Sequence, residues 1–150
     1  MRAAILEKLY NWSVVPYQYF KKNEAWQFNA EELKEYPSDS LGYHMGEFLV
    51  ANSFQLQEKL ESHDVFHVLT GTGITVPEEI SMQFYLMGNG KRSLYLFTVI
   101  SIGSMLYPEY WKYFLSKYTC GKSALPFHQL DFQKLLNQPI QRIKSTFLIP

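Results

Sequence analysis

The sequence predicts an all-α bundle of about seven or eight helices. Three observations carry that expectation. Two capping boxes mark helix starts, Asn29 with Glu32 and Thr75 with Glu78. Met45, Phe48, Leu49, Leu56 and Leu60 recur at a helical period. The β-branched residues are scattered, without the alternation of a paired strand.

Taken in order, residues 2–14 form a first candidate helix, stopped before Pro16. The box at Asn29 opens a short helix that ends before Pro37. The apolar stripe predicts an amphipathic helix over 40–60, and SHDVFHVL continues it after a small bend. TGTGITVP, residues 70–77, reads as a turn. Thr75 then starts a long apolar helix, with Pro77 in its first turn and a kink at Gly88 and Gly90. Pro108 opens another helix, which Gly121 ends. Asp131 and Pro139 start two last short helices. With 150 residues and no linker or repeat, the expectation is one domain over 1–150.

Composition excludes several functions. Lys+Arg and Asp+Glu both number 14, so the basic field that attracts a phosphate backbone is missing and no nucleic-acid partner is expected. A single cysteine, Cys120, rules out an internal disulfide and fits a reducing compartment. The longest mainly apolar run, residues 94–107, is too short to span a bilayer. No targeting segment is evident at the start of the chain. These points lead us to expect a cytoplasmic protein, with peripheral contact at the inner membrane face open to it. Aromatics make up 17% of residues, with 11 Tyr and 11 Phe, enough to line a lipid-shaped cavity as well as a core.

The candidate chemistry lies in HDxxH, eleven residues, then Glu. His63 and His67 are one turn apart on a predicted helix, so both imidazoles share a face. Asp64 flanks that face. Glu79, in the first turn of the next helix, can be folded back onto it by a helical hairpin. Two nitrogen and two oxygen donors suit zinc, iron, cobalt or manganese. Taken alone, HDxxH also fits polar residues on a helix surface.

HDVFHVLTG with the later EEI resembles the coenzyme Q (ubiquinone) biosynthesis family known as Coq-four, whose hallmark is HDxxH followed by Glu at this spacing. YPSDSLGYHMGEFL, residues 36–49, and CGKSALPFHQLDFQKLLNQPIQRIKSTFLI, residues 120–149, are similar to two further segments of that family. The chain departs from it at Glu78, where glycine is common, and at Cys120, where a basic residue is common. The resemblance is to a short bacterial-type member. It implies that His63, Asp64, His67 and Glu79 are metal ligands, with zinc the expected ion. It implies a polyprenyl or quinone-like lipid partner in an apolar cavity near the metal, and contact with other ubiquinone-biosynthesis proteins. It implies one of two roles. The first is a lyase that replaces the C1 carboxyl of a polyprenylated 4-hydroxybenzoate by hydroxyl, with Glu79 catalytic. The second is a prenyl-lipid-binding scaffold with a structural metal. A weaker rival is an HD-type phosphohydrolase built on His44, His63, Asp64 and Asp131, a pattern that leaves His67 and Glu79 unexplained.

Overall fold

The structure, a computed structural model, describes Met1, Ala4, Lys8, residues 25–57 and residues 60–150. Among these residues there are seven α-helices and no sheet. They are α1 (Ala30–Leu33), α2 (Leu41–Ala51), α3 (Glu61–Thr70), α4 (Val76–Gly88), α5 (Leu94–Leu106), α6 (Trp111–Ser123) and α7 (Ile140–Thr146). Short 3-10 turns at Pro108–Tyr110 and Phe132–Leu135 lie between the later helices. Of the first candidate helix only Ala4 and Lys8 are described, both helical.

Local chemistry sets the helix starts. Asn29 Oδ1 accepts from the Glu32 N–H at 2.9 Å, and the Glu32 carboxylate accepts from the Asn29 N–H at 2.9 Å. Ser40 and Ser93 cap α2 and α5 by accepting from the N–H groups of Tyr43 and Leu96. The expected 40–60 helix stops earlier, at Ala51. The Asn52 side chain donates to the Phe48 carbonyl at 2.8 Å, and Ser53 turns into the left-handed region at φ 55°. The Phe54 N–H then closes back on the Leu49 carbonyl. The apolar stripe outlives the helix, because Leu56 is still half-buried and Leu60 buried.

The long helix expected after Thr75 is not kinked but divided. It ends at Gly88, Gly90 takes φ 100°, and α5 starts afresh at Leu94. Gly121 does not end α6, which continues to Ser123. Its role is contact: a Cβ there would overlap the Tyr85 carbonyl oxygen of α4, and one at Gly88 would overlap the Tyr118 carbonyl oxygen of α6. The two helices cross backbone on backbone. Asn89 locks the crossing by donating to the carbonyls of Gly121 and Leu125 while accepting from the Phe127 N–H at 3.0 Å.

The larger core joins Met45 and Leu49 of α2, Val65, Phe66 and Leu69 of α3, and Met82, Tyr85 and Leu86 of α4 to the closing segment around Phe127, Phe132 and Ile143. A smaller one packs Ile80 and Phe84 against Phe114, the two rings stacked at 5.2 Å. α4 belongs to both cores. Among the described helices it is therefore anchored on two sides, and it carries Glu79.

Candidate metal centre

α3 and α4 form a tight helical hairpin. Gly71 ends α3 at φ 62°, a conformation that suits glycine. The turn swings the Thr72 carbonyl back to His67, whose Nδ1 lies 3.0 Å from it. A carbonyl only accepts, so Nδ1 carries a proton and Nε2 is the ring nitrogen that faces Glu79 and would be free to meet an ion once deprotonated. Phe48 stacks on the same imidazole, ring centres 5.3 Å apart and planes 18° from parallel. His67, 3% exposed, is thus held in both tautomer and plane.

The start of α4 is set with equal care. The Glu78 carboxylate accepts from the Thr75 hydroxyl at 2.5 Å and the Thr75 N–H at 3.2 Å. The hydroxyl bond holds the Glu78 pKa below its usual value. Gly73 packs directly under that carboxylate, so a larger residue there would require the Glu78 side chain to shift. Glu78 thereby faces the turn, and its neighbour Glu79 faces α3.

His63 Nε2 and His67 Nε2 lie 3.2 Å apart. Glu79 reaches both, with Oε1 3.0 Å from His67 Nε2 and Oε2 3.3 Å from His63 Nε2. The three side chains offer ligand atoms that all lie within 4.8 Å of one another. Donors about 2.0–2.1 Å from one ion stand about 3.3 Å apart at tetrahedral angles. The observed separations match that edge, and the donor types match zinc, so the residues fit a divalent ion. The Glu79 side chain is 34% exposed, against 2% for His67, so the carboxylate is the more accessible of these two donors.

Asp64 is not part of this close triad. Its carboxyl still senses it: burial pushes its pKa up to about 6, opposed by the His63 and His67 charges and aided by those of Glu79 and Glu61. Burial also works against the Glu79 carboxylate, but hydrogen bonds and charge from His63 and His67 prevail and hold it at about 2. Burial lowers His67, yet the Glu79 bond and charge, the Thr72 carbonyl and Asp64 raise it overall. The cluster is electrostatically coupled and built to hold positive charge.

The residues of the phosphohydrolase pattern lie apart. Asp131 pairs with Lys134 at 2.9 Å beside a 3-10 turn, and His44 packs edge-on against Tyr43. Sequence reasoning missed the supporting groups, Thr72 and Phe48 in their roles toward His67. The Gly-punctuated turn was the available signal for the first, since a left-handed cap returns nearby backbone to the helix end. A groove of about 510 Å³ is lined by Gln27, Phe28, Glu32, Glu35, Tyr36, Pro37 and Asn137, none of them a candidate ligand.

Comparisons with known proteins agree with this architecture. The chain is similar in structure to a protein from Nostoc punctiforme provisionally described as a ubiquinone biosynthesis protein. The TM-score is 0.67 at 17% identity, over 98% of this chain and 80% of that one. At that identity the likeness concerns the fold. No curated protein gives a significant match to the sequence. The sequence profile of the family "Coenzyme Q (ubiquinone) biosynthesis protein Coq4" matches residues 52–150, a stretch that includes His63, Asp64, His67 and Glu79. The chain therefore belongs to the Coq4 family of ubiquinone biosynthesis proteins.

Proposed function

We propose that this chain, working as one helical domain, is a metal-dependent lyase of ubiquinone biosynthesis that replaces the C1 carboxyl of a polyprenylated 4-hydroxybenzoate by hydroxyl. The observation that carries this reading is the His63–His67–Glu79 triad, three donors rather than four, with the Glu79 side chain partly exposed. A structural metal site is closed by four protein ligands, whereas a catalytic one keeps a position for substrate. The scaffold reading predicts the closed arrangement. His63, His67 and Glu79 would hold the ion, with Asp64 an adjacent carboxylate whose negative charge would add to the attraction for it.

A bound divalent ion would supply a positive charge that polarises a carboxylate or phenolate oxygen. The protein's own contribution is placement. Thr72 and Phe48 keep the His67 imidazole oriented. Burial in the α3–α4 hairpin excludes bulk water from its inner side. Glu79, with its side chain partly exposed, is the residue positioned to meet the reacting end of a substrate. Loss of carbon dioxide with gain of hydroxyl is a net oxidation. Zinc has no redox chemistry of its own, so the two electrons would have to go to an external oxidant such as dioxygen, which would also supply the hydroxyl oxygen.

A second observation bears on the lipid partner. α5 contains no charged residue, yet only Leu96 and Gly103 are buried in it. Leu94 is 85% exposed and Met105 82%, with Phe97 between them on the same side. An uncharged apolar face of this kind suits the boundary between head groups and acyl chains. Among the described residues no helix is long and apolar enough to cross a membrane. The protein would then meet its prenylated substrate from the cytoplasmic side, alongside other enzymes of the route.

The test is conversion of a short-chain polyprenylbenzoate to its C1-hydroxylated product by wild type and Glu79→Ala, with and without added metal. Metal-dependent turnover in wild type that falls to background in Glu79→Ala supports the lyase. Background conversion in both, with lipid still bound, supports the scaffold.

A further inference from the structure

One turn beyond Glu79, α4 presents a second polar side chain on the same face. Gln83 follows Glu79 by four residues, so the two stack along the helix. Helical side chains lean toward the N terminus, which tips the Gln83 carboxamide over the turn that carries Glu79. Gln83 is 1% exposed, and among the described residues its Oε1 has no hydrogen-bond partner. A buried amide oxygen without a donor is destabilising. A methionine of similar length would avoid that cost.

α5 adds a matching group. It returns antiparallel to α4, and its register is set where Gly103 packs directly against Ile80. One residue further along, Ser104 therefore stands level with Glu79. Its Oγ is also buried and unpartnered. The other residues on this side of α4, Val76, Ile80 and Met87, are apolar. Among the described residues, two unsatisfied polar atoms are thus buried on α4 and α5, each within about one helical turn of the level of Glu79 by this register.

We propose that Gln83, with Ser104, is the specificity-determining contact of this site and receives a ring hydroxyl of the ligand while the acid end lies at the His63–His67–Glu79 cluster. This rests on the substrate reading given above. The chemistry selects a neutral hydroxyl. It donates to Gln83 Oε1 and accepts from the Ser104 hydroxyl, so one group satisfies both. A carboxylate would face the amide oxygen as one acceptor against another. A bare C–H would leave both atoms unpaired. One helical turn, about 5.4 Å, is comparable with the width of a single aromatic ring.

The experiment is calorimetric binding of two acids, 4-hydroxy-3-prenylbenzoate and the same acid lacking the ring hydroxyl, to the metal-loaded protein. Wild type is expected to prefer the hydroxylated acid by about tenfold. In Gln83→Met that preference shrinks to about twofold or less, with metal content unchanged and the unliganded Tm equal or higher. Ser104→Ala falls between the two. Gln83→Leu serves should the methionine variant not fold. A preference that survives in the Gln83 variants overturns the assignment, the more so if Tm falls, which marks an internal structural role. Wild type that binds both acids equally also overturns it and leaves the substrate reading standing. Wild type that keeps its metal and binds neither acid overturns the substrate reading itself.

Discussion

α4 and α5 are each thirteen residues long and mainly apolar, yet they do opposite things with that composition. α4 buries Ile80, Ser81, Met82, Gln83, Phe84, Tyr85 and Leu86, polar residues among them. α5 has no charged residue, and buries only Leu96 and Gly103. The difference lies in neighbours. α4 is surrounded by α3, α5 and α6, so even its amide and hydroxyl side chains are enclosed. α5 packs one side on α4 and turns the other outward. Composition sets what a helix is able to bury, while its place in the bundle sets what it does bury. The functional consequence follows: the enclosed helix fixes Glu79 in place, and the outward one offers a surface.

The sharpest way to break this contrast is at the crossing that encloses α4. Gly121→Leu puts side-chain atoms where the Tyr85 carbonyl stands. Overpacking against backbone costs about 3 kcal/mol or more, and urea denaturation should show a loss on that scale. A variant as stable as wild type would mean that the helices do not approach this closely.

Metal retention comes next. His67→Ala removes the best-oriented donor and should reduce bound ion from stoichiometric to background by elemental analysis, with the fold kept by circular dichroism. The same site predicts a pH dependence. The His67 pKa is raised above 6.5, so a proton competes with the ion up to that raised value. Loading should be complete above it and fall as pH drops through it. Loading that is flat down to pH 5 would remove His67 from the ligand set.

A smaller effect concerns the metal-free protein. Asp64 has its folded pKa raised to about 6 from 3.8. For a raised carboxyl the folded state favours the proton, so the stabilisation is present at low pH and is lost as pH climbs from about 3.8 through about 6. Glu79, held at about 2, behaves in the opposite sense: its contribution is present above its usual 4.5 and lost as pH falls toward about 2. Asp64→Asn should therefore stabilise the metal-free protein at pH 7, by about 1–2 kcal/mol, and weaken metal binding at the same time. Destabilisation of the metal-free form would show that the carboxylate has a partner it needs.

The smallest change in stability is expected on α5. Leu94→Glu and Met105→Glu lie on its exposed side and should shift unfolding by about 0.5 kcal/mol or less. Flotation with vesicles of bacterial lipid should nevertheless be lost. Unchanged flotation would assign membrane contact to another face.

Much of this protein is legible in the sequence alone. The boxes at Asn29–Glu32 and Thr75–Glu78 form as expected because a cap is a local bargain, closed between residues three apart. The pairing of His63 with His67 follows from helical pitch alone, and the hairpin back to Glu79 follows from the Gly-rich turn. Tertiary structure decided the rest. Where α2 stopped depended on Ser53 entering the left-handed region, which a continuous apolar stripe conceals. Gly121 read as a helix end and proved to be a helix crossing, because the residue that needs its missing side chain, Tyr85, is distant in sequence. Asp64 stands beside the triad rather than within it, since adjacent residues on a helix point about 100° apart and only one can face Glu79. The orphaned amide of Gln83 was invisible in the sequence for the same reason: whether a polar side chain finds a partner depends on what the bundle brings to it.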